Sequence, residues 1–315
     1  MAQQDPDNAK IRREHSLSYY TLGEVSLRLV DLQGAREHFE NSRKLREQLA
    51  CQEPENLQSR RDLWASYIRL GDVNMKLGDL QAAGDYLAKA LKLTEELAQQ
   101  DPDNAQPRRD LSISYYRLGD LNVLLGGLRA AGDYYDKALK LREQLAQQDP
   151  LNTRAKWDLS LAYRGPGEVS MWLGDLRAAR QYLEKSLQLL EYLAQQDPDN
   201  AKVRQDLALS YDKVGEVSMK SGDLRAAREY LEKSMNLREE LARQAPESAE
   251  AALDLAVSSF KLGQVHRAAG QAPEAGTRFR LALEQLRRLE AQSKLLPAQK
   301  ELVASVEQEL NALPR

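Results

Sequence analysis

Ala98-Gln-Gln-Asp-Pro-Asp-Asn104 decides how this chain is read, because the same seven residues stand at 2–8 and again at 194–200. The proline of that segment has counterparts at Pro6, Pro54, Pro102, Pro150, Pro198 and Pro246, each 48 residues after the last. Six units in one register describe a stack in which each unit touches its neighbours and a core runs between them. This repetition overrides the two globular domains that 315 residues would otherwise suggest.

Within a unit, proline keeps the approach non-helical, and Asn56 caps a helix predicted to run to about Leu77, where Gly78-Asp79 stops it. Asp79 caps a second helix, in which Leu80, Ala83, Leu87, Leu91 and Leu93 keep helical spacing up to the next proline boundary. Each helix holds roughly 20 residues and spans about 30 Å. No stretch alternates apolar and polar residues in the manner of a strand.

Charged residues make up 30% of the chain and hydrophobic ones 42%, a balance suited to amphipathic helices and not to a disordered polar chain. Forty-five basic against 48 acidic residues leave a formal charge of −3, which offers no general attraction to nucleic acid or to an anionic membrane. Cys51 is the single cysteine, so no intramolecular disulfide and no thiolate metal cluster can form, and a cytoplasmic location is expected. No run approaches the ~18 apolar residues of a membrane span, and Met1 to Asp5 do not open a signal peptide. Because Ala2 to Asn8 copies internal segments, the sequence is expected to begin inside a repeat of a longer protein.

Tyr67-x-x-Leu70-Gly71 resembles the Trp-x-x-Leu-Gly of tetratricopeptide repeats, with Tyr for Trp. Tyr19/Leu22/Gly23, Tyr115/Leu118/Gly119 and Tyr211/Val214/Gly215 occupy the same places. Ala35-x3-Phe39 and Ala131-x3-Tyr135 resemble the family's Ala-x3-Phe, and Ala90 and Ala138 match its second alanine. The family unit has 34 residues; the 14 extra ones fall as seven before its start and seven after its end, about two turns on each helix. The elongated unit resembles long-helix bacterial and kinesin-light-chain-like arrays over residues 5–292. The resemblance implies an all-α, right-handed α-solenoid superhelix of six helix-turn-helix repeats plus a C-terminal capping helix. Its divisions are a remnant of a preceding repeat at 1–4, repeats at 5–52, 53–100, 101–148, 149–196, 197–244 and 245–292, and the cap at 293–315. The sixth repeat departs most, with Ala245, Ser259 and Ala272-Pro273, and the cap offers Leu296, Leu302, Val306 and Leu310 on a helix started by Pro297. Pro166, between Gly165 and Gly167, is expected to kink or break the first helix of repeat four.

Catalysis needs convergent titratable groups, and His15, His38 and His266 stand in three separate units. His15 replaces a leucine found at that place in every other unit, which reads as a substituted packing position, and Cys51 reads as an inert thiol. The Gly-Asp-Leu triplets join helix to helix and form no phosphate loop, so neither catalytic residue, metal nor cofactor is expected. Tyr67, Tyr115, Tyr163 and Tyr211 read as core, as do Val73, Val169, Val217, Leu77 and Leu173.

The resemblance also implies a concave groove lined by the first helix of each repeat. Its wall carries Tyr20, then Arg61, Ala65, Ile68, Asp72 and Met75 in repeat two, and Arg109, Ile113, Tyr116, Asp120 and Val123 in repeat three. Steps of three and four keep these residues on one helical face. Repeat four contributes Trp157, Leu161, Arg164, Glu168, Met171 and Trp172, two of the three tryptophans on one expected face. Asp72 pairs within its helix with Arg69 and Lys76, and Glu216 with Lys213 and Lys220, whereas Glu168 has Arg164 as its one evident helical neighbour. The Lys and Asn of the family's carboxylate clamp are replaced by Tyr20, Ile68 and Tyr116 and by Glu24, Asp72 and Asp120, so a protein or peptide with basic and apolar groups is the expected partner. Four functions compete: a protein-binding scaffold without catalysis, the sensing arm of a larger signalling protein whose effector domain lies upstream, an enzyme, and an RNA-binding array. The last two are disfavoured by the missing site and by the groove acids.

Overall fold

The computed structural model describes residues 9–295 and 297–314. The copied segment at 2–8, Pro6 and Leu296 lie outside them. All thirteen described elements of regular structure are α-helices, and they fall into two compact units, 1–149 and 150–315. The first unit holds α1 (Ala9–Arg28), α2 (Leu32–Gln52), α3 (Leu57–Leu77), α4 (Leu80–Gln100), α5 (Ala105–Leu124) and α6 (Leu128–Gln148). The second holds α7 (Thr153–Trp172), α8 (Leu176–Gln196), α9 (Ala201–Lys220), α10 (Leu224–Gln244), α11 (Ala249–Ala268), α12 (Ala272–Ala291) and α13 (Pro297–Asn311).

Local chemistry sets the boundaries as the sequence indicates. Asn56 Oδ1 accepts from the amides of Gln58 and Ser59 at the start of α3, and Asp79 Oδ1 accepts from Ala82 at the start of α4. Between them Gly78 adopts φ +80° and turns its amide back to Asn74 and Met75, closing α3. At the matching place after α1 stands Val30 at φ +64°, a left-handed conformation that a β-branched residue adopts only under strain. Val30→Gly is therefore expected to raise stability by about 1 kcal/mol net of glycine's entropy in the unfolded chain. Urea denaturation checks this, and an unchanged midpoint would contradict the strain at that turn.

Consecutive helices pack as antiparallel pairs within each unit, and α3 also meets α5 as α7 meets α9. The first helices of successive repeats therefore approach one another on one side of each unit. In the first unit, Ala35 and Phe39 of α2 close on Leu70 and Val73 of α3, while Ala83, Leu87 and Ala90 of α4 close on Leu118 and Leu121 of α5. Glycine is required where α3 crosses α4, since a Cβ on Gly71 would stand 2.6 Å from Leu87. In the second unit Leu183, Leu187 and Leu190 of α8 meet Leu207, Tyr211, Val214 and Val217 of α9. Val303 and Val306 of α13, with Leu302 and Leu310, cover α12 as expected of the final helix.

Of the kink or break expected at Pro166, the break does not occur: α7 is helical from Thr153 through Pro166 to Trp172. Pro166, both flanking glycines, Ala162, Tyr163 and Val169 are all buried, so packing on both sides of the missing hydrogen bond holds the turn. Leu173 is exposed instead of joining the core, because it follows the last turn of α7 where the chain reverses at Gly174.

Candidate functional site

The wall expected on the first helices is stitched by ion pairs that cross from one repeat to the next. In the first unit Arg69 reaches back to Glu24 at 2.7 Å and lies 3.5 Å from Asp72 on its own helix. Arg117 in turn reaches back to Asp72 at 3.0 Å and forward to Asp120 at 2.9 Å. The second unit repeats the pattern: Lys213 bridges Glu168 at 3.0 Å and Glu216 at 3.5 Å, and Lys261 also pairs with Glu216. Each bridging base follows the acid it reaches by 45 positions, three short of the repeat.

This overturns the reading of Glu168 as a weakly compensated acid with Arg164 as its neighbour, since Lys213 on α9 neutralises it from the adjacent repeat. A helical wheel of one segment cannot show that partner. The signal was nonetheless present, as an acid in one unit and a base three places earlier in the register of the next. Lys76 and Lys220 make none of the described ion pairs; the pairing bases Arg69, Arg117 and Lys213 stand three residues before Asp72, Asp120 and Glu216 on the same helices.

The pairing divides the acids electrostatically. Burial alone raises the Glu216 carboxyl, but Lys261 and Lys213 outweigh it and hold the group below its usual value. Asp120 is pushed up by burial, with Arg117 and the Tyr135 hydroxyl, which donates at 2.7 Å, pulling the other way. Among the described ion pairs Asp72 and Glu216 each have two bases, and Glu24, Asp120 and Glu168 each have one.

The other expected wall residues are distributed unevenly. Arg61 donates through Nε to Asp110 at 2.7 Å and so spans two repeats. Tyr20 meets Phe39 edge to face at 5.4 Å, lies under the Arg46 guanidinium at 4.5 Å and accepts from Arg69 Nε at 3.2 Å. Tyr116 packs on Tyr135 at 4.8 Å, and Arg109 is half-buried on α5. Ile68, in the column of Tyr20 and Tyr116, is buried because that column faces the second helix of its own repeat.

Repeat four does not bring its residues to one place. Leu161 and Arg164 are half-buried, but Met171 is withdrawn into the core with Ala179, Leu183 and Val217, so it offers a partner no surface. Trp157 and Trp172 stand 15 residues apart at opposite ends of α7, about 22 Å along its axis. Trp157 donates through Nε1 to Asp206 at 2.9 Å, carries the Arg154 guanidinium on its ring at 4.4 Å, and walls a cleft of about 250 Å³ with Leu193, Asn200 and Val203. Trp172 is 46% exposed on the final turn, next to exposed Leu173.

His15 and His38 also fall apart from any such site: His15 is exposed on α1, and His38 stacks with Tyr19 at 6.4 Å. His266 bonds Gln271 through Nδ1 at 2.7 Å at the turn into α12. Among the described residues no group of three His, Cys, Asp or Glu side chains is placed to hold a metal ion. No helix among them is long and apolar enough to cross a membrane.

The tetratricopeptide repeat profile matches residues 65–97, 113–145 and 208–241, each spanning most of a helix pair. No curated protein matches the chain significantly in sequence. BtubC (BKLC) from P. vanneervenii has a similar fold, with TM-score 0.63 and 21% identity over 82% of this chain and 92% of that one. A Rap protein complexed with competence and sporulation factor is similar with TM-score 0.59 and 13% identity, over 94% of this chain and 76% of that one. The apo form of RapI gives 0.56 and 12%, over 96% and 72%.

Proposed function

Because the chain is built from tetratricopeptide repeats, we propose that it is a non-catalytic scaffold binding a peptide segment or helix of another protein along its first helices. The observation that carries this reading is the pairing along that wall. Nearly every charge on it is engaged by its neighbour, which leaves exposed apolar groups at the helix ends, Trp172 and Leu173 on one unit and Leu124 and Leu125 on the other, as the free contact surface. Asp120, paired with Arg117 as Glu24 is with Arg69 and Glu168 with Lys213, supplies an acid of that wall with which a basic group of the partner can pair. A partner with apolar anchors and a basic group fits that surface; nucleic acid and membrane do not, given the formal charge of −3. The single cysteine supports a cytoplasmic setting.

Affinity capture with the intact chain, followed by calorimetry on the captured partner, tests the reading. Trp172→Ala is expected to weaken binding by about tenfold or more, as truncation of an aromatic anchor does. Asp120→Asn should weaken a basic partner by a smaller factor, and both variants should keep the wild-type helical circular dichroism. Wild-type affinity in both would remove the groove assignment. Trp157→Ala is a poorer probe, since it also breaks the bond to Asp206.

A further inference from the structure

In four repeats a base near the start of the first helix closes over the end of the second helix of the same repeat. Arg60 on α3 donates to Glu96 and Gln100 at 2.8 Å each, and Arg108 on α5 donates to Gln144 at 2.9 Å and Gln148 at 3.0 Å. Lys156 on α7 stands over the Tyr192 ring at 4.3 Å, and Arg204 on α9 pairs with Glu240. The side chains of Arg60 and Arg204 are each 12% exposed, so their stems lie against the protein and cover the gap between the two helices. The sixth repeat loses this closure at both ends. Ala252 stands at the place of the base, and Arg288 at that of Glu96 and Glu240. A cleft of about 560 Å³ opens there, between the end of α10, the start of α11 and the end of α12. Ala249, Ala252 and Leu255 give it an apolar lining. Three bases, Arg243, Arg288 and Lys294, line it against two acids, Glu239 and Glu247. Arg288 and Lys294 make none of the described ion pairs, and Arg243 donates through Nε to the Glu239 carbonyl at 3.3 Å.

We infer that this cleft binds a small organic monocarboxylate with an apolar body. The carboxylate pairs with Arg288, and the apolar part takes the room that an arginine stem occupies in the second and fifth repeats. The pairing is that of Arg60 with Glu96, its charges exchanged: the base is now on the second helix and the acid on the ligand. One positive charge in excess among the lining residues matches a single carboxylate and not a run of acids. An inorganic anion would satisfy Arg288 but leave Ala249, Ala252 and Leu255 uncovered. The volume falls within the range of small-ligand sites, about 300–1,000 Å³. The cleft shares no residue with the wall proposed to bind a partner protein, so either assignment can fail without the other.

Nuclear magnetic resonance of the intact protein, labelled at its alanine and leucine methyl groups and titrated with 4-phenylbutyrate or octanoate, tests it. Both acids are expected to shift the methyls of Ala249, Ala252 and Leu255 saturably, and the neutral 4-phenylbutyramide to bind about tenfold more weakly or worse. Arg288→Gln, on an exposed side chain, should weaken both acids by about tenfold or more. Ala252→Arg combined with Arg288→Glu rebuilds the closure of the fifth repeat and should abolish the shifts at Ala249 and Leu255. Trp172→Ala should leave binding unchanged, and circular dichroism verifies that each variant keeps its helices. No saturable shift with either acid up to about 10 mM overturns the inference. So does an amide that binds as well as its acid, or wild-type affinity in both Arg288 variants.

Discussion

Asp212→Ala is expected to destabilise the second unit by about 3–5 kcal/mol, the cost of stranding a buried charge by removing its partner. Asp212 is 0% exposed, and its Oδ2 lies 2.8 Å from Arg238 Nη2 and 3.4 Å from Lys261 Nζ, while Oδ1 accepts from Ser258 at 3.4 Å. Lys261 keeps Glu216 when Asp212 is lost, but Arg238 keeps only the Asp254 carbonyl and that residue's carboxylate at 3.6 Å. The repeats themselves supply the compensating change. Arg238 stands where the fourth and sixth repeats carry the buried leucines Leu190 and Leu286, and Asp212 stands where the sixth carries Phe260. The double variant Asp212→Phe with Arg238→Leu should therefore recover most of the loss, since a well-packed apolar pair replaces a buried ion pair at little cost. Urea denaturation of wild type, both single variants and the double variant measures the coupling. A double variant as unstable as the two singles summed would show that the site demands the charges themselves.

The elements that the sequence made legible are those encoded within a dozen residues. Asn56 and Asp79 cap, Gly78 reverses the chain, and the interval between them is apolar at helical spacing, so the helix pairs could be read from residues that touch. The candidate site was less legible, because its chemistry lies between repeats. Glu168 looked poorly compensated along its own helix, and Lys213 supplies the charge from the next one. Met171 fell on the expected wall by spacing alone, yet a stripe of helical spacing does not say where the boundary between core and surface falls, and Met171 lies on the core side of it. Tyr67 shows the same limit in the other direction. The family place marks it as core, which it is, but its hydroxyl donates to Glu47 of the preceding repeat, a bond that a purely apolar residue at that place could not make.

Pro166→Leu is expected to stabilise the second unit by up to about 3 kcal/mol, the cost assigned to proline in a helix interior. Two contributions separate. Leucine restores an amide at 166 that can donate to the Ala162 carbonyl, and it returns to the column the residue found there in the second, third and sixth repeats, where Leu70, Leu118 and Leu262 are buried. The unbroken course of α7 shows that neighbouring packing already holds residue 166 in helical geometry, so the new hydrogen bond forms without rearrangement. Leucine is also larger than proline, and Gly167 leaves little slack, since a Cβ there would stand 2.9 Å from Leu183. Pro166→Ala distinguishes the terms: it restores the amide without added bulk, so a gain in alanine equal to that in leucine assigns the effect to the backbone, and a larger gain in leucine assigns the difference to packing. Hydrogen exchange provides the local readout, with amides on the flanking turns of α7 becoming slower to exchange in both variants. A fall in stability for both variants would mean that the chain around 166 is fitted to proline and that the helix is held on other terms.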